Sequence, residues 1–406
     1  LPIAPGRSGG TDLGARQSVP VQHPHGGCDR QHGGALRPGT SLLPVRVTPA
    51  GESPPPDQPR VRTVLGEIPA AELGTTLAHE HLLVDLRCNW RPDDDPAIAF
   101  LPVRMERLGR IRANPFACRD NMVVDEAHVL AEELKRYRDA GGVSIVDVTP
   151  PGLGRDARVL EWLATEAGVN IIAGCGFYVE ATHPAGLHLW SVEDIAAEMI
   201  QDLTEGMDGT GIRAGVIGEL GVTGYPMGPA ERRVFEAAAL AQQEVGCAII
   251  AHSAAGADSP LEVIEVLSDA GADMSKVVQS HLDDRFRSDL DLYRQAADAG
   301  AGLGLDTFGR ELYYAMRKTQ LPRDEDRIDA LLMLIEAGMA DRVFPAQDIC
   351  LKHELAAYGG RGYDHFLRHI VPRLVDRGVS AAELDTILRK NPARLLAGAS
   401  GVHDSG

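Results

Sequence analysis

The sequence predicts an α/β fold, a single (β/α)8 TIM barrel behind an N-terminal extension, and three observations lead there. From Val61 onward, short apolar runs alternate with amphipathic ones, which is the pattern of parallel β/α units. Eight such apolar runs can be counted. Gly141, Gly246 and Gly271 fall just past amphipathic stretches, where helices stop. Length does not decide the matter. The chain has 406 residues, enough for two or three average domains, yet a barrel of about 250 residues with insertions up to about 400 fits equally well.

In chain order, residues 1–60 are dominated by Gly, Pro, Ser, Gln and Arg, end in Ser53-Pro54-Pro55-Pro56-Asp57, and show neither strand nor helix periodicity. They are expected to be a disordered extension. His23-Pro24-His25 lies within it and is read as solvated tail, since the proline removes any strand context. The expected strands are Thr76 to Leu86, Val143 to Thr149, Asn170 to Tyr178, Ala214 to Leu220, Ala248 to Ser253, Val277 to Leu282, Ala301 to Thr307 and Val343 to Asp348. Helical patterns separate them, among them Asp125 to Ala140, Pro229 to Val245 and Pro260 to Ala270. The stretch from Arg87 to Val124 breaks the rhythm. Its Asp93-Asp94-Asp95 run lacks the glycine and distal glutamate of a calcium loop, so it is read as solvated loop and assigned no chemistry. A helix follows at Ser380 to Arg389, then Asn391-Pro392 as N-cap and first-turn proline of a last one. The barrel domain thus spans 61–398, with 399–406 as a short tail.

Composition excludes several function classes. Forty basic against 58 acidic residues give a net charge of −18 without a basic stripe, which disfavours nucleic acid and anionic membrane as partners. Six widely spaced cysteines with no C-x-x-C read as reduced thiols rather than a disulfide framework or zinc ribbon, so a cytoplasmic location is expected. No apolar stretch reaches the roughly 18 residues of a membrane helix, and no basic-then-apolar leader is evident. Dinucleotide, P-loop and H-E-x-x-H motifs are missing, for His353-Glu354 has no second histidine after it.

The most informative motif is His79-Glu80-His81 inside an apolar, strand-like run. Alternation along a strand sends both imidazoles to one side and Glu80 to the other, which is how a strand presents two ligands to a metal ion. Other polar residues recur at the same structural position, the C-terminal end of an apolar strand, where barrel enzymes build their sites. Glu219 follows Val216-Ile217-Gly218, His252 follows Ile249-Ile250-Ala251, His281 follows Val277 to Ser280, and Asp348 follows Val343 to Gln347. Singly, each could be a hydrogen-bonded core residue or a helix cap. Together, four imidazoles and two carboxylates match two divalent ions of the zinc type, with Mn or Co equally compatible. Two dications against Glu219, Asp348 and a bridging hydroxide leave residual positive charge for an anionic transition state, and hydrolysis is the reaction class this implies.

Several motifs occur in order on the expected strands: Ala78-His79-Glu80-His81, Ala214 to Gly221, Ile250-Ala251-His252-Ser253, Ser280-His281-Leu282-Asp283, Gln347-Asp348-Ile349 and Tyr358-Gly359-Gly360-x-Gly362-Tyr363. From about Val61 to Ala397 the chain resembles the phosphotriesterase family of the amidohydrolase superfamily. The resemblance implies a (β/α)8 barrel, usually a homodimer, with a binuclear metal centre that hydrolyses organophosphate triesters, lactones or other esters and amides. It implies His79 and His81 on the buried metal, His252 and His281 on the exposed one, Glu219 bridging, and Asp348 binding metal and accepting the proton of attacking water. Two departures matter. Where triesterases carry a carboxylated lysine this chain has Gly218, with Glu219 next to it, as in the phosphotriesterase-homology subgroup. Adjacent strand residues face opposite sides, so Glu219 needs a local bulge, which Gly218 permits. At the seventh strand Asp306-Thr307 replaces the Asp-His that relays protons to an aspartate matching Asp284, so Asp348 is expected to hand its proton directly to the leaving group.

The expected substrate is a small lactone, carboxylic ester or amide. The alternatives are an organophosphate triesterase and a non-catalytic barrel that binds metal or a metabolite. Candidate substrate contacts are Tyr178, His183, Arg310 and Lys352, in the loops after strands three, seven and eight. By resemblance to lactonases whose loop cations hold phosphate or carboxylate, Arg310 and Lys352 point to an anionic substrate tail.

Overall fold

The computed structural model describes residues 58–254, 258–285, 290–314 and 318–398. Up to residue 57, the extension expected to be disordered lies outside the described residues, as does the 399–406 tail. All eight apolar runs form parallel strands of one sheet: β1 Thr76–Glu80, β2 Ser144–Asp147, β3 Asn170–Cys175, β4 Val216–Gly221, β5 Ala248–His252, β6 Val277–Gln279, β7 Gly302–Leu305 and β8 Val343–Pro345. Each pairs with its sequence neighbour. At the seam, the Asp348 N–H donates to the His79 carbonyl at 3.3 Å, so the TIM barrel nearly closes between β8 and β1.

Crossover helices follow the strands: α1 Ala127–Asp139, α2 Ala157–Ala167, α3 Val192–Thr204, α4 Pro229–Val245, α5 Ser259–Asp269, α6 Asp291–Asp298 and α7 Asp324–Glu336. Their starts and stops have local causes. Asp156 caps α2 by accepting the N–H groups of Arg158 and Val159, and α4 ends where Gly246 turns to φ +75°. Period-two alternation splits the apolar residues into two cores. Leu77, Ile145, Ile171, Ile217, Ile249 and Val277 pack outward against the helices. Ala78, Val146, Ile172, Val216, Ile250, Val278 and Phe344 fill the barrel interior. A hairpin of Arg60–Thr63 and Gly66–Pro69 covers the end opposite the strand C-termini, with Val61 and Leu73 joining the inner core.

Two expectations need correction. All strands but the fourth stop earlier than expected, and in the first, sixth and eighth this leaves His81, His281 and Asp348 just beyond the ladder rather than in it. Asn391 does not cap the last helix. It is the first residue of Asn391–Leu396 and its side-chain amide donates to the carbonyls of Ala340 and Val343, tying that helix to β8. The 87–124 stretch that breaks the rhythm carries helices Pro96–Ala99 and Met105–Ala113. In its acidic run Asp95 caps the first of these helices and, with Asp93, pairs with Arg110. No helix among the described residues is long and apolar enough to cross a membrane.

Candidate metal centre

Two bulges aim the ligands. Between Leu77 and Glu80, β1 advances three residues while β2 advances two, from Ile145 to Asp147. The extra residue re-phases the strand end. A second bulge lies between Ile217 and Leu220 of β4, against Ile249 and Ala251 of β5, and it turns Glu219 to the inside. Gly218 is required there, because its φ is +133° and a Cβ would meet the Ile250 carbonyl oxygen at 2.5 Å. The Gly218–Glu219 peptide is cis, and the Glu219 N–H donates to the Val148 carbonyl. His252 is the last residue of β5. His281 and Asp348 adopt left-handed backbone, φ 58° and 50°, a conformation that His and Asp tolerate better than most side chains and that recurs at functional sites.

The six side chains read from the sequence converge. Glu219 Oε1 lies 3.3 Å from His79 Nε2, 3.2 Å from His252 Nδ1 and 2.9 Å from His281 Nε2, and its Oε2 lies 3.8 Å from His81 Nε2. Asp348 Oδ1 lies 3.3 Å from His81 Nε2 and 3.6 Å from His79 Nε2. Three overlapping triplets, His79/His81/Glu219, Glu219/His252/His281 and His79/His281/Asp348, each place their ligand atoms within 4.8 Å of one another. The opposite ring nitrogens are already held: His79 Nδ1 at 3.0 Å from Ser280 Oγ, His81 Nδ1 at 2.9 Å from Thr149 Oγ1, and His281 Nδ1 at 2.8 Å from Asp306 Oδ1. Thr149 Oγ1 is in turn 2.6 Å from Asp147 Oδ1, so that hydroxyl donates to the carboxylate and accepts from the His81 ring. With Nδ1 occupied, Nε2 of His79 and His81 is left for a cation, as in metal sites whose outer partners fix the tautomer. His79 Nε2 is buried without a hydrogen bond. The donor set and this orphaned nitrogen fit one or two divalent ions.

Electrostatics within the cluster follow from burial and proximity. Burial alone would raise both carboxyls, but His252 and His79 hold Glu219 well below the usual range, and Arg310 and His281 do the same to Asp348. Burial lowers the His281 imidazole, and Asp306 beside it more than reverses this. Glu80 lies on the opposite side of β1. It accepts the N–H groups of Gln347 and Ile349 at 2.8 and 3.0 Å, fastening β1 to β8, and burial pushes its carboxyl up to about 8.

The pocket at the cluster is lined by Leu86, Phe116 and Leu153 together with Tyr178, Asn89, Asp284 and Arg310. Leu86, Asn89 and Phe116 belong to, or border, the insertion to which the sequence assigned no chemistry. The available signal was a set of apolar side chains in a polar stretch directly after a ligand-bearing strand. Of the four substrate candidates, the structure brings two to the pocket. The Tyr178 ring lies 5.3 Å from that of His252, edge to face. Arg310 Nη1 is 2.5 Å from Asp348 Oδ2, its Nη2 also donates to the Asp348 carbonyl, and Nε is 3.0 Å from Glu354 Oε1. His183 is not brought in: its Nε2–H donates to the Tyr178 carbonyl, so it supports that loop from behind. Lys352 is not brought in either. Its buried ammonium is taken by Asp120 at 2.9 Å and Glu126 at 3.2 Å, where it braces the insertion.

Residues 59–396 match the model of the phosphotriesterase family. The chain is 40% identical over 342 residues to N-acetyltaurine hydrolase of Rattus norvegicus, covering 83% of this chain and 97% of that protein. Among solved structures, a resiniferatoxin-binding protein from Rhodobacter sphaeroides superposes with a TM-score of 0.80 at 34% identity, covering 83% of this chain and 95% of that one. The phosphotriesterase homology protein from Escherichia coli, complexed with phosphate in its active site, gives 0.67 at 30% identity, covering 80% and 99%. The chain belongs to the phosphotriesterase family and is a hydrolase.

Proposed function

We propose that this phosphotriesterase-family hydrolase cleaves the amide of a small N-acyl amino acid or aminosulfonate, of the kind N-acetyltaurine represents, using divalent metal held by His79, His81, Glu219, His252, His281 and Asp348. The observation that carries the reading is near-full-length similarity, 40% identity across 97% of the rat N-acetyltaurine hydrolase, combined with a pocket that pairs apolar walls with a buried guanidinium. When bound, two such ions, zinc in the first instance, supply Lewis acidity toward the acyl carbonyl and lower the pKa of a water toward neutrality.

The chain's own residues do the rest. Asp348, kept ionised by Arg310 and the imidazoles, accepts the proton of the attacking water at its carboxylate. Thr307 in place of a relay histidine favours return of that proton directly to the departing amine. Tyr178, against His252, orients the carbonyl. Leu86, Phe116 and Leu153 enclose a short acyl group. Arg310, lining the pocket with its fork on Asp348 and Glu354, presents positive charge toward the substrate's carboxylate or sulfonate. A panel assay on zinc-reconstituted protein with N-acetyltaurine, N-acetyl amino acids, longer N-acyl analogues, lactones and paraoxon tests this. Highest kcat/KM on a short-acyl anionic amide supports the reading; preference for paraoxon or a lactone overturns it.

A further inference from the structure

Arg327 of α7 is fully buried behind the ligand cluster, and its guanidinium is spread over several groups. Nε lies 3.0 Å from Asp283 Oδ2, Nη2 lies 2.8 Å from Thr307 Oγ1 and 3.2 Å from the Arg310 carbonyl, and Nη1 lies 2.5 Å from the Pro322 carbonyl. Asp283 in turn accepts the backbone N–H groups of Asp306 and Thr307 at 3.2 and 3.0 Å. Asp306 Oδ1 then accepts both the backbone N–H and the Nδ1–H of His281, each at 2.8 Å. One line of contacts thus runs from Arg327 through Asp283 and Asp306 to the His281 ring, whose Nε2 faces Glu219. A second runs through the Arg310 backbone to the guanidinium that grips Asp348. Burying a guanidinium costs several kcal/mol unless its donors are met, and an apolar side chain of similar volume would pack α7 at least as well. What an apolar residue could not do is hold the segments after β6 and β7 and the loop before α7 in one planar fork.

We propose that Arg327 is a positioning residue that sets the orientation of His281 through Asp283 and Asp306 and the reach of Arg310 to Asp348. This rests on His281 being a metal ligand. His81 is steadied by Thr149 alone, and His79 by Ser280 at 3.0 Å with Asp306 Oδ2 more distant at 3.4 Å, whereas His281 is bonded to Asp306 directly through both its ring and its backbone. Loss of Arg327 is therefore unequal: the cation shared by His252 and His281 is weakened much more than the one on the His79/His81 side.

The test is stepwise zinc affinity, read by competitive chelator titration of the full chain. The main variant is Arg327→Met with Asp283→Asn, which removes both charges together and leaves no lone buried ion; Thr307→Val is the milder second variant. We expect one step to lose about 10–100-fold, the usual effect of losing an outer partner of a ligand, and the other to lose at least about fivefold less than that. Two unchanged steps, or two steps weakened alike, overturn the proposal. If the double variant does not fold, Thr307→Val decides by the same criterion. A parent chain that binds no zinc at all would instead overturn the metal reading on which the proposal stands.

Discussion

Asp348 is an ionised carboxylate in left-handed backbone between Arg310, His81 and His79. Asp348→Asn keeps the shape and removes the proton acceptor, so kcat is expected to fall by about 10²–10⁴-fold, as loss of a general base does; steady-state kinetics on the best amide substrate checks this. Arg310→Ala should lower kcat on charged and uncharged amides alike, because Asp348 loses its guanidinium partner, and in addition raise KM by at least tenfold for the anionic one alone, which side-by-side kinetics on a charged and an uncharged substrate would reveal. Thr149→Val breaks the link from Asp147 to the His81 ring and is expected to weaken zinc on that side by about 10–100-fold. The convergence of the six candidate ligands was legible in the sequence because each is a polar side chain at the end of an apolar strand, a place where burial without a partner is costly. Ser280 and Thr149 were not, because short polar residues near strand ends are commonplace and nothing in their spacing marks which ring they touch. Lys352 misled for the converse reason: a cation in a site-side loop looks like a substrate contact until its carboxylate partners, more than 220 residues away in sequence, are seen.

At the scale of elements, the two bulges on β1 and β4 decide which faces the ligands take. Gly218→Ala places a Cβ against the Ile250 carbonyl at a φ that L residues rarely adopt. Its expected outcome is loss of zinc binding and of activity even where circular dichroism still reports a folded barrel. The insertion between β1 and α1 is pinned over the mouth by Lys352 and by His353, whose backbone N–H and ring Nδ1 both lie near Asn121 Oδ1. Lys352→Ala should therefore cost about 1–3 kcal/mol in urea unfolding while leaving KM unchanged; a raised KM would restore it as a substrate contact. The strands themselves were readable, since continuous β-branched runs are what doubly covered parallel strands require. Where each ladder ends was not readable, because apolar character continues past the last paired residue in Leu82, Leu83 and Leu282.

For the whole molecule, the repeat of eight β/α units fixed the architecture from sequence, and the family resemblance carried the chemistry to particular residues. The β1–α1 insertion, by contrast, has no periodicity to read, and its role at the mouth emerges only from long-range pairs. One of those pairs governs acid stability. Burial pushes the His353 imidazole down to about 4, so the folded state holds it neutral while the unfolded chain protonates near 6.5. The unfolded state binds the extra proton between those values. Stability is thus intact above about pH 6.5 and is lost as pH falls toward 4, by a total of about 3 kcal/mol for this group. His353→Gln should flatten that limb of the urea-midpoint profile between pH 7 and 4.5, and an unchanged limb would reject this assignment.

The centre as a whole is tested most directly by metal content measured together with turnover. Full-length protein reconstituted with zinc and freed of excess should carry two equivalents per chain and hydrolyse N-acetyltaurine or a close N-acyl relative, with activity falling in step as a chelator strips the metal. Turnover that persists after all metal has gone would contradict the account.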